Sequence, residues 1–272
     1  MNTPIPKRIA ITGASGGIGR ALSLAYAEEG AIFFLCGRNE ERLQETAESA
    51  LKAGATKVKT TIFDIRDPEL LREWLTFIYE EAPLDLFIAN AGVSSANSKD
   101  TLESSEETTR VLETNALASI DAIKAASDLM VDAGYGHIAV MSSIAALYPL
   151  ASSPAYCAAK AASRIYGLAL GDCLRSSGVF ITVVCPGYVD TPMSQALSGP
   201  KPFLWTPEKA AAYIKKRLIK KPVEIHFPWI LALGLRLASL LPHWISRRIM
   251  RRFAFKLKQT PKETIRKYTD SQ

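Results

Sequence analysis

The opening of the chain restricts its fold more than any other segment. Arg8–Thr12 is a short apolar run suited to a buried strand. It leads into Thr12-Gly13-Ala14-Ser15-Gly16-Gly17-Ile18-Gly19, and a helix-forming stretch then runs to about residue 29. A strand that passes through a glycine turn into a helix begins a βαβ unit, whose next strand lies parallel to the first. Each glycine has its own reason. Gly13 permits the tight turn, Gly17 lets backbone approach a bound pyrophosphate, and Gly19 lets helix and strand pack closely. The helix start offers unpaired N–H groups and the positive end of its dipole to phosphate, beside Ser15 and Ile18.

The rest of the sequence keeps the alternation going. Residues 32–36 form a second apolar run. A helix over 40–53 places Leu43, Ala47, Ala50 and Leu51 on one face, and Gly54 stops it. Val58, Thr60 and Ile62 alternate as a strand does. Asp67-Pro68 caps and opens a helix to about residue 81. Strands are expected at 84–89, 137–141, 179–184 and 223–227, with helices near 115–133, 154–176 and 206–220. Such alternation implies an α/β fold: a doubly wound parallel sheet covered on both faces. No repeat, linker or second core is visible, so one domain is expected.

Composition excludes several classes. With 48% hydrophobic and 22% charged residues, the chain is not a disordered one. Its four cysteines lack C-x-x-C spacing, so no metal or disulfide is expected and a reducing, cytoplasmic setting fits. No apolar signal core precedes the first strand, and no uncharged apolar run is long enough to span a bilayer.

The chemistry-bearing residues lie further on. Tyr156 and Lys160 form Tyr-x-x-x-Lys, one helical turn apart on one face, with Ser143 thirteen residues upstream. Reducing a carbonyl needs a proton donor, and an isolated tyrosine with a pKa of about 10 holds its proton too tightly to exchange readily. The Lys160 ammonium is expected to lower that value. Ser143 is expected to hydrogen-bond the substrate oxygen, with Ser142 as its rival. Cys157 is expected to pack, although its alkylation could block the site. His137 reads as a strand-edge residue, and nothing in the sequence pairs His226 or His243.

The G-x-x-x-G-x-G spacing, Asn90-Ala91-Gly92, Asn115, Ser143, Tyr156, Lys160, Pro186-Gly187 and Thr191 together resemble the single-domain type of the short-chain dehydrogenase/reductase family, over roughly residues 7–227. The resemblance implies a seven-stranded Rossmann-type sheet and oxidoreduction of a carbonyl/alcohol pair with a nicotinamide cofactor. In it, Asn90, Ala91 and Gly92 support the sheet and the cofactor edge, and Pro186, Gly187 and Thr191 embrace the nicotinamide. Lys160 also bonds the ribose, Asn115 holds a water that links Lys160 to solvent, and Asp64 contacts the adenine amine. A homodimer or homotetramer is expected. Two other functions stay open. A sugar-nucleotide epimerase would usually carry G-x-x-G-x-x-G and a larger substrate domain, while a non-catalytic dinucleotide-binding regulator would tolerate loss of the catalytic set.

The cofactor is expected to be NADP(H) rather than NAD(H). The end of the second strand reads Cys36-Gly37-Arg38, without the acid that would hold a ribose 2′-OH. Arg38, beside Ser15, could instead meet a 2′-phosphate.

Charge separates the last segment from the rest. Residues 1–200 hold 16 Lys and Arg against 23 Asp and Glu, while residues 201–272 hold 17 against 4. Residues 1–227 are expected to be the catalytic domain and 228–272 an apolar, then basic, helical extension. The apolar run at 228–241 is too short to span a bilayer, and residues 245–258 carry six basic residues and no acid. Together they read as an interfacial anchor through 228–258, peripheral on the inner face of a membrane. A lid over the site or a subunit contact would use the same helices, and a lid near a membrane would suit a lipid-like substrate. Nucleic acid is not expected, because no recognition motif accompanies the charge.

Overall fold

The computed structural model describes residues 5–94, 102–250 and 256–257. Seven parallel strands form the sheet: β1 (Arg8–Thr12), β2 (Ile32–Gly37), β3 (Lys57–Ile62), β4 (Leu86–Ala89), β5 (Gly136–Met141), β6 (Val179–Pro186) and β8 (Glu224–Phe227). Their order is β3-β2-β1-β4-β5-β6-β8. The order reverses between β1 and β4, so the chain leaves their carboxyl ends in opposite directions and opens a crevice there. The inner strands are mostly apolar because helices cover both faces, and among the polar exceptions His137 and Thr182 pair with each other. At the edge, β3 leaves Ile62 half exposed.

On one face lie α1 (Gly17–Ala27), α2 (Glu40–Lys52) and α8 (Pro207–Leu218), which bury Leu22, Tyr26, Leu43 and Ile214. On the other lie α3 (Pro68–Glu81), α5 (Ala118–Ala133) and α6 (Pro154–Cys173), which bury Leu71, Leu75, Ile78, Ile123 and Met130. The caps follow the sequence. The Asp67 carboxylate accepts from the Glu69 and Leu70 N–H groups, and Asn39 and Thr206 cap α2 and α8 in the same way. The helix expected near 115–133 is more elaborate. A separate α4 (Ser105–Leu112) leads into a π-turn at Glu113–Leu117 before α5 begins.

After β6 come α7 (Pro192–Gln195) and the two-residue β7 (Leu197–Ser198). The extension forms α9 (Trp229–Leu240) and α10 (His243–Met250), and β9 (Lys256–Leu257) pairs antiparallel with β7. Ala232, Leu235 and Ala238 of α9 are buried in the same core as α3 and α5. The Tyr148 hydroxyl hydrogen-bonds Ser246 of α10 at 2.8 Å, and both residues are buried. Residues 251–255 and 258 onward, part of the expected basic segment, lie outside the described residues. Among the described residues no helix is long and apolar enough to cross a membrane.

Candidate active site

The glycine turn crosses from β1 to α1 at the crevice. Gly13 has φ +66°, and a Cβ there would stand 2.8 Å from the Ala91 Cα. A Cβ on Gly19 would stand 2.5 Å from the Gly13 carbonyl oxygen. Any side chain at either position would push the turn off β4. Thr12 completes this junction. Its Oγ1 accepts from the N–H groups of Asn90 and Ala91 at 3.0 Å each, and Asn90 Nδ2 donates back to the carbonyls of Thr12 and Gly13. The first turn of α1 carries no acid and no side-chain cap, which leaves its N–H groups to an anion.

A cavity of about 790 Å³ runs along the carboxyl ends of the strands. Every site residue expected from the sequence lines it except Gly19 and Asn115. Gly19 is held in the packing just described. Asn115, fully buried in the π-turn, donates through Nδ2 to the Val93 carbonyl at 2.6 Å and accepts from the Val93 N–H at 2.8 Å. It fixes the loop after Gly92, and the π-turn aims its amide there.

Ser143, Tyr156 and Lys160 converge on the middle of this cavity. Ser143 Oγ accepts from the Ala145 N–H at 3.1 Å. The Ser142 hydroxyl donates to the Lys160 carbonyl at 2.8 Å. Lys160 Nζ donates to the Met141 carbonyl at 2.8 Å and lies 5.9 Å from the centre of the Tyr156 ring. Burial lowers the Lys160 pKa to about 8. Burial also pushes the Tyr156 hydroxyl up to about 12, against a hydrogen bond from Ser143 that pulls it down. The expected lowering of the tyrosine by Lys160 is thus not what the geometry gives: Lys160 is turned toward Met141, and burial is the largest influence on Tyr156. A neutral Tyr156 is the form that can give a proton. Cys157 Sγ accepts from the Leu150 N–H at 3.4 Å, and burial raises its pKa, so it is a packed thiol.

At one end, Arg38 and Asp64 line the cavity with Arg42, which sequence reasoning missed. Arg42 stands in the first turn of α2, just after the Asn39 cap, and no sequence pattern separates it there from an ordinary surface charge. At the other end the wall is apolar: Leu150, Met193 and Leu197 face Ile230, Leu237 and Leu241 of α9 and its C-terminal end. The tail therefore builds part of the site.

The comparisons agree with this geometry. The family model of the short chain dehydrogenase matches residues 7–201. The chain belongs to the short-chain dehydrogenase/reductase family. Within it, an uncharacterized oxidoreductase of Myxococcus xanthus is 33% identical over 86% of this chain and 92% of its own length. A short-chain type dehydrogenase/reductase from Mycobacterium marinum superposes with TM-score 0.71 at 26% identity, covering 81% of this chain and 93% of that one. An alcohol dehydrogenase from the archaeon Thermococcus sibiricus, solved with 5-hydroxy-NADP, gives TM-score 0.71 at 26% identity over 81% and 95% of the two chains.

Three histidine expectations concern positions outside the family's motifs. His137 is not at an exposed strand edge. It is buried in central β5, where Nε2 meets Thr182 Oγ1 at 2.9 Å, and desolvation lowers its pKa to about 3. His226 is paired after all: Nε2 lies 3.6 Å from Glu224 and 3.3 Å from Arg236 Nη2, because residues two apart on β8 share a face. The side chain of His243 lies outside the described ones. Cys185, Glu224 and His226 place their ligand atoms within 4.8 Å of one another. Arg164 and Arg236 hold the two oxygens of Glu224, so guanidinium charge stands where a cation would.

Proposed function

We propose that this oxidoreductase interconverts a carbonyl and a secondary alcohol on an apolar, lipid-like substrate, and that it prefers NADP(H). The observation that carries the reading is one continuous cavity with the glycine turn at one end, Ser143, Tyr156 and Lys160 at the middle and an apolar wall beyond.

The residues present fit a nicotinamide dinucleotide. Gly13 and Gly17 leave room where side chains would intrude, and the start of α1 offers N–H groups to the pyrophosphate. Asn90, Ala91 and Gly92 would flank its middle, and Pro186, Gly187 and Thr191 its nicotinamide end. Arg38, Arg42 and Ser15 would meet a 2′-phosphate; of the solved neighbours one carries 5-hydroxy-NADP and another NAD, so the preference rests on these residues. When bound, the dinucleotide supplies or accepts the hydride at the substrate carbon.

The protein handles the oxygen. Ser143 orients it, and Tyr156 gives a proton as negative charge develops there, or takes one back in oxidation. Lys160, buried and held against Met141, keeps positive charge close to the tyrosine as that proton leaves. Asn115 keeps the loop after Gly92 in place. The apolar wall excludes water and selects carbon chains over polar substrates. Peripheral contact of residues 228–258 with a membrane belongs to the same reading.

The test is NADPH and NADH oxidation against a carbonyl panel that includes long-chain 3-oxo lipids. Faster turnover with NADPH, and with longer chains, is expected. Turnover with no carbonyl would sink the reading.

A further inference from the structure

We propose that the outward face of α9 and α10 docks on an anionic lipid surface, and that the cavity takes its substrate directly from that surface. The second half rests on the lipid-like substrate proposed above.

The first observation is the face itself. Trp229, Leu240 and Trp244 are 67%, 80% and 74% exposed, with Leu233 half exposed among them. Large side chains of this kind rarely stand together on a surface that meets only water. Indole rings with apolar bodies and a polar N–H suit the headgroup boundary of a bilayer.

The second is continuity. Ile230, Leu237 and Leu241 are about half exposed and also line the cavity. Along α9, apolar side chains that stand outside are thus immediate neighbours of ones that line the site. A long-chain ketone could slide along it without its hydrocarbon crossing water.

The third is charge. Residues 225–262 contain eight Lys and Arg and no Asp or Glu. Among the described side chains, Arg248 is exposed, while Arg236, exposed as well, is held by Glu224. Basic residues beside an apolar helical face complement anionic headgroups. The same charge opposes a second copy as the occupant. A two-fold contact through this face would bring together the basic residues of 245–258, a segment with no acid of its own to pair them.

The test uses the full chain and two kinds of vesicle, phosphatidylcholine alone and phosphatidylcholine mixed with phosphatidylglycerol. Co-sedimentation with the mixed vesicles is expected, and little with phosphatidylcholine alone. The double variant Leu240→Ser/Trp244→Ser changes side chains that do not line the cavity. It should lower the bound fraction roughly tenfold, and lower kcat/KM on a vesicle-borne long-chain ketone by a similar factor. Its turnover of a short soluble ketone should be unchanged, which also shows that it folds. A full chain that stays in the supernatant with mixed vesicles would overturn docking, as would a double variant that binds them equally well. A dimer in light scattering that the double variant breaks, without vesicle binding, would assign the face to a second copy. Vesicle binding with equal loss on both ketones would overturn delivery from the surface. Vesicle binding with no turnover of either ketone supports docking and instead overturns the carbonyl reading.

Discussion

Arg236, on α9, donates to Glu224 of β8 at 2.9 Å, and Arg164 of α6 holds the other oxygen of the same carboxylate at 2.7 Å. One acid thus ties the cleft wall to the last strand and to the helix that carries Tyr156 and Lys160. Glu224→Gln keeps the shape but leaves two guanidinium groups facing each other. A loss of about 1–3 kcal/mol is expected, because the position is largely shielded from water. Differential scanning calorimetry should show a Tm lower by several degrees. KM for a bulky ketone should rise more than kcat falls, since the pair positions the wall and touches no reacting atom. An unchanged Tm would mean that the cluster does not hold α9.

How much of this could be read from the sequence depended on how local the cause was. The buried strands and the capped helices were legible because apolar runs, Asp67-Pro68 and Thr206-Pro207 act within a few residues. The polar α4 was not: of its eight side chains only Val111 is buried, so no apolar stripe marked it. Most expected site residues meet in one cavity because their motifs sit at strand ends, and the topology gathers strand ends. Thr12 escaped attention as a junction because its partners lie some 78 residues away. The Arg164–Glu224–Arg236 cluster joins three elements and has no sequence pattern. The apolar run at 228–241 was visible, but which of its leucines face the cavity depends on how α9 meets the core.

Tyr156→Phe should separate binding from chemistry. The ring still packs, and the glycine turn is untouched, so NADPH affinity should change little. Turnover should fall by about 10²–10⁴-fold, because the proton donor is gone. Fluorescence titration with NADPH beside steady-state kinetics would check both. Turnover near that of the unmodified protein would remove Tyr156 from the mechanism.

Stability should rise with pH on both flanks of neutrality, for one reason: a buried base that resists its proton. His137 has a folded pKa of about 3 against an ordinary 6.5, so the unfolded chain takes up the proton first. Stability from keeping this ring neutral is complete above about 6.5 and is lost as pH falls toward 3. Lys160 has a folded pKa of about 8 against 10.5. The cost of its buried charge is full below 8 and disappears as pH rises to 10.5. Lys160→Met should therefore be the more stable protein at pH 7, with the difference closing near pH 10.5, while turnover is lost. Urea unfolding of both proteins across this range would show it. A difference that does not change with pH would place the effect in packing rather than charge.

Arg38 decides the cofactor prediction. Its guanidinium lies 3.7 Å from Asp64, close enough to raise the question of whether that acid already claims it. Arg66 answers it. It grips Asp64 through two nitrogens, and its hydrogen bond is the largest influence lowering the Asp64 pKa. With that carboxylate neutralised from the other side, Arg38 stays more than half exposed at the cavity rim, beside Arg42. Arg38→Asp removes a positive partner of a 2′-phosphate and adds repulsion toward it. NADPH binding should weaken by about 1.5–3 kcal/mol, or roughly 10- to 150-fold in Kd. NADH has no phosphate there and should be affected far less. Arg42→Ala should weaken NADPH in the same direction by a smaller factor, because Arg38 remains. Isothermal titration of both cofactors against the three proteins would measure this. Equal affinities of the unmodified protein for NADPH and NADH would remove the basis for the preference.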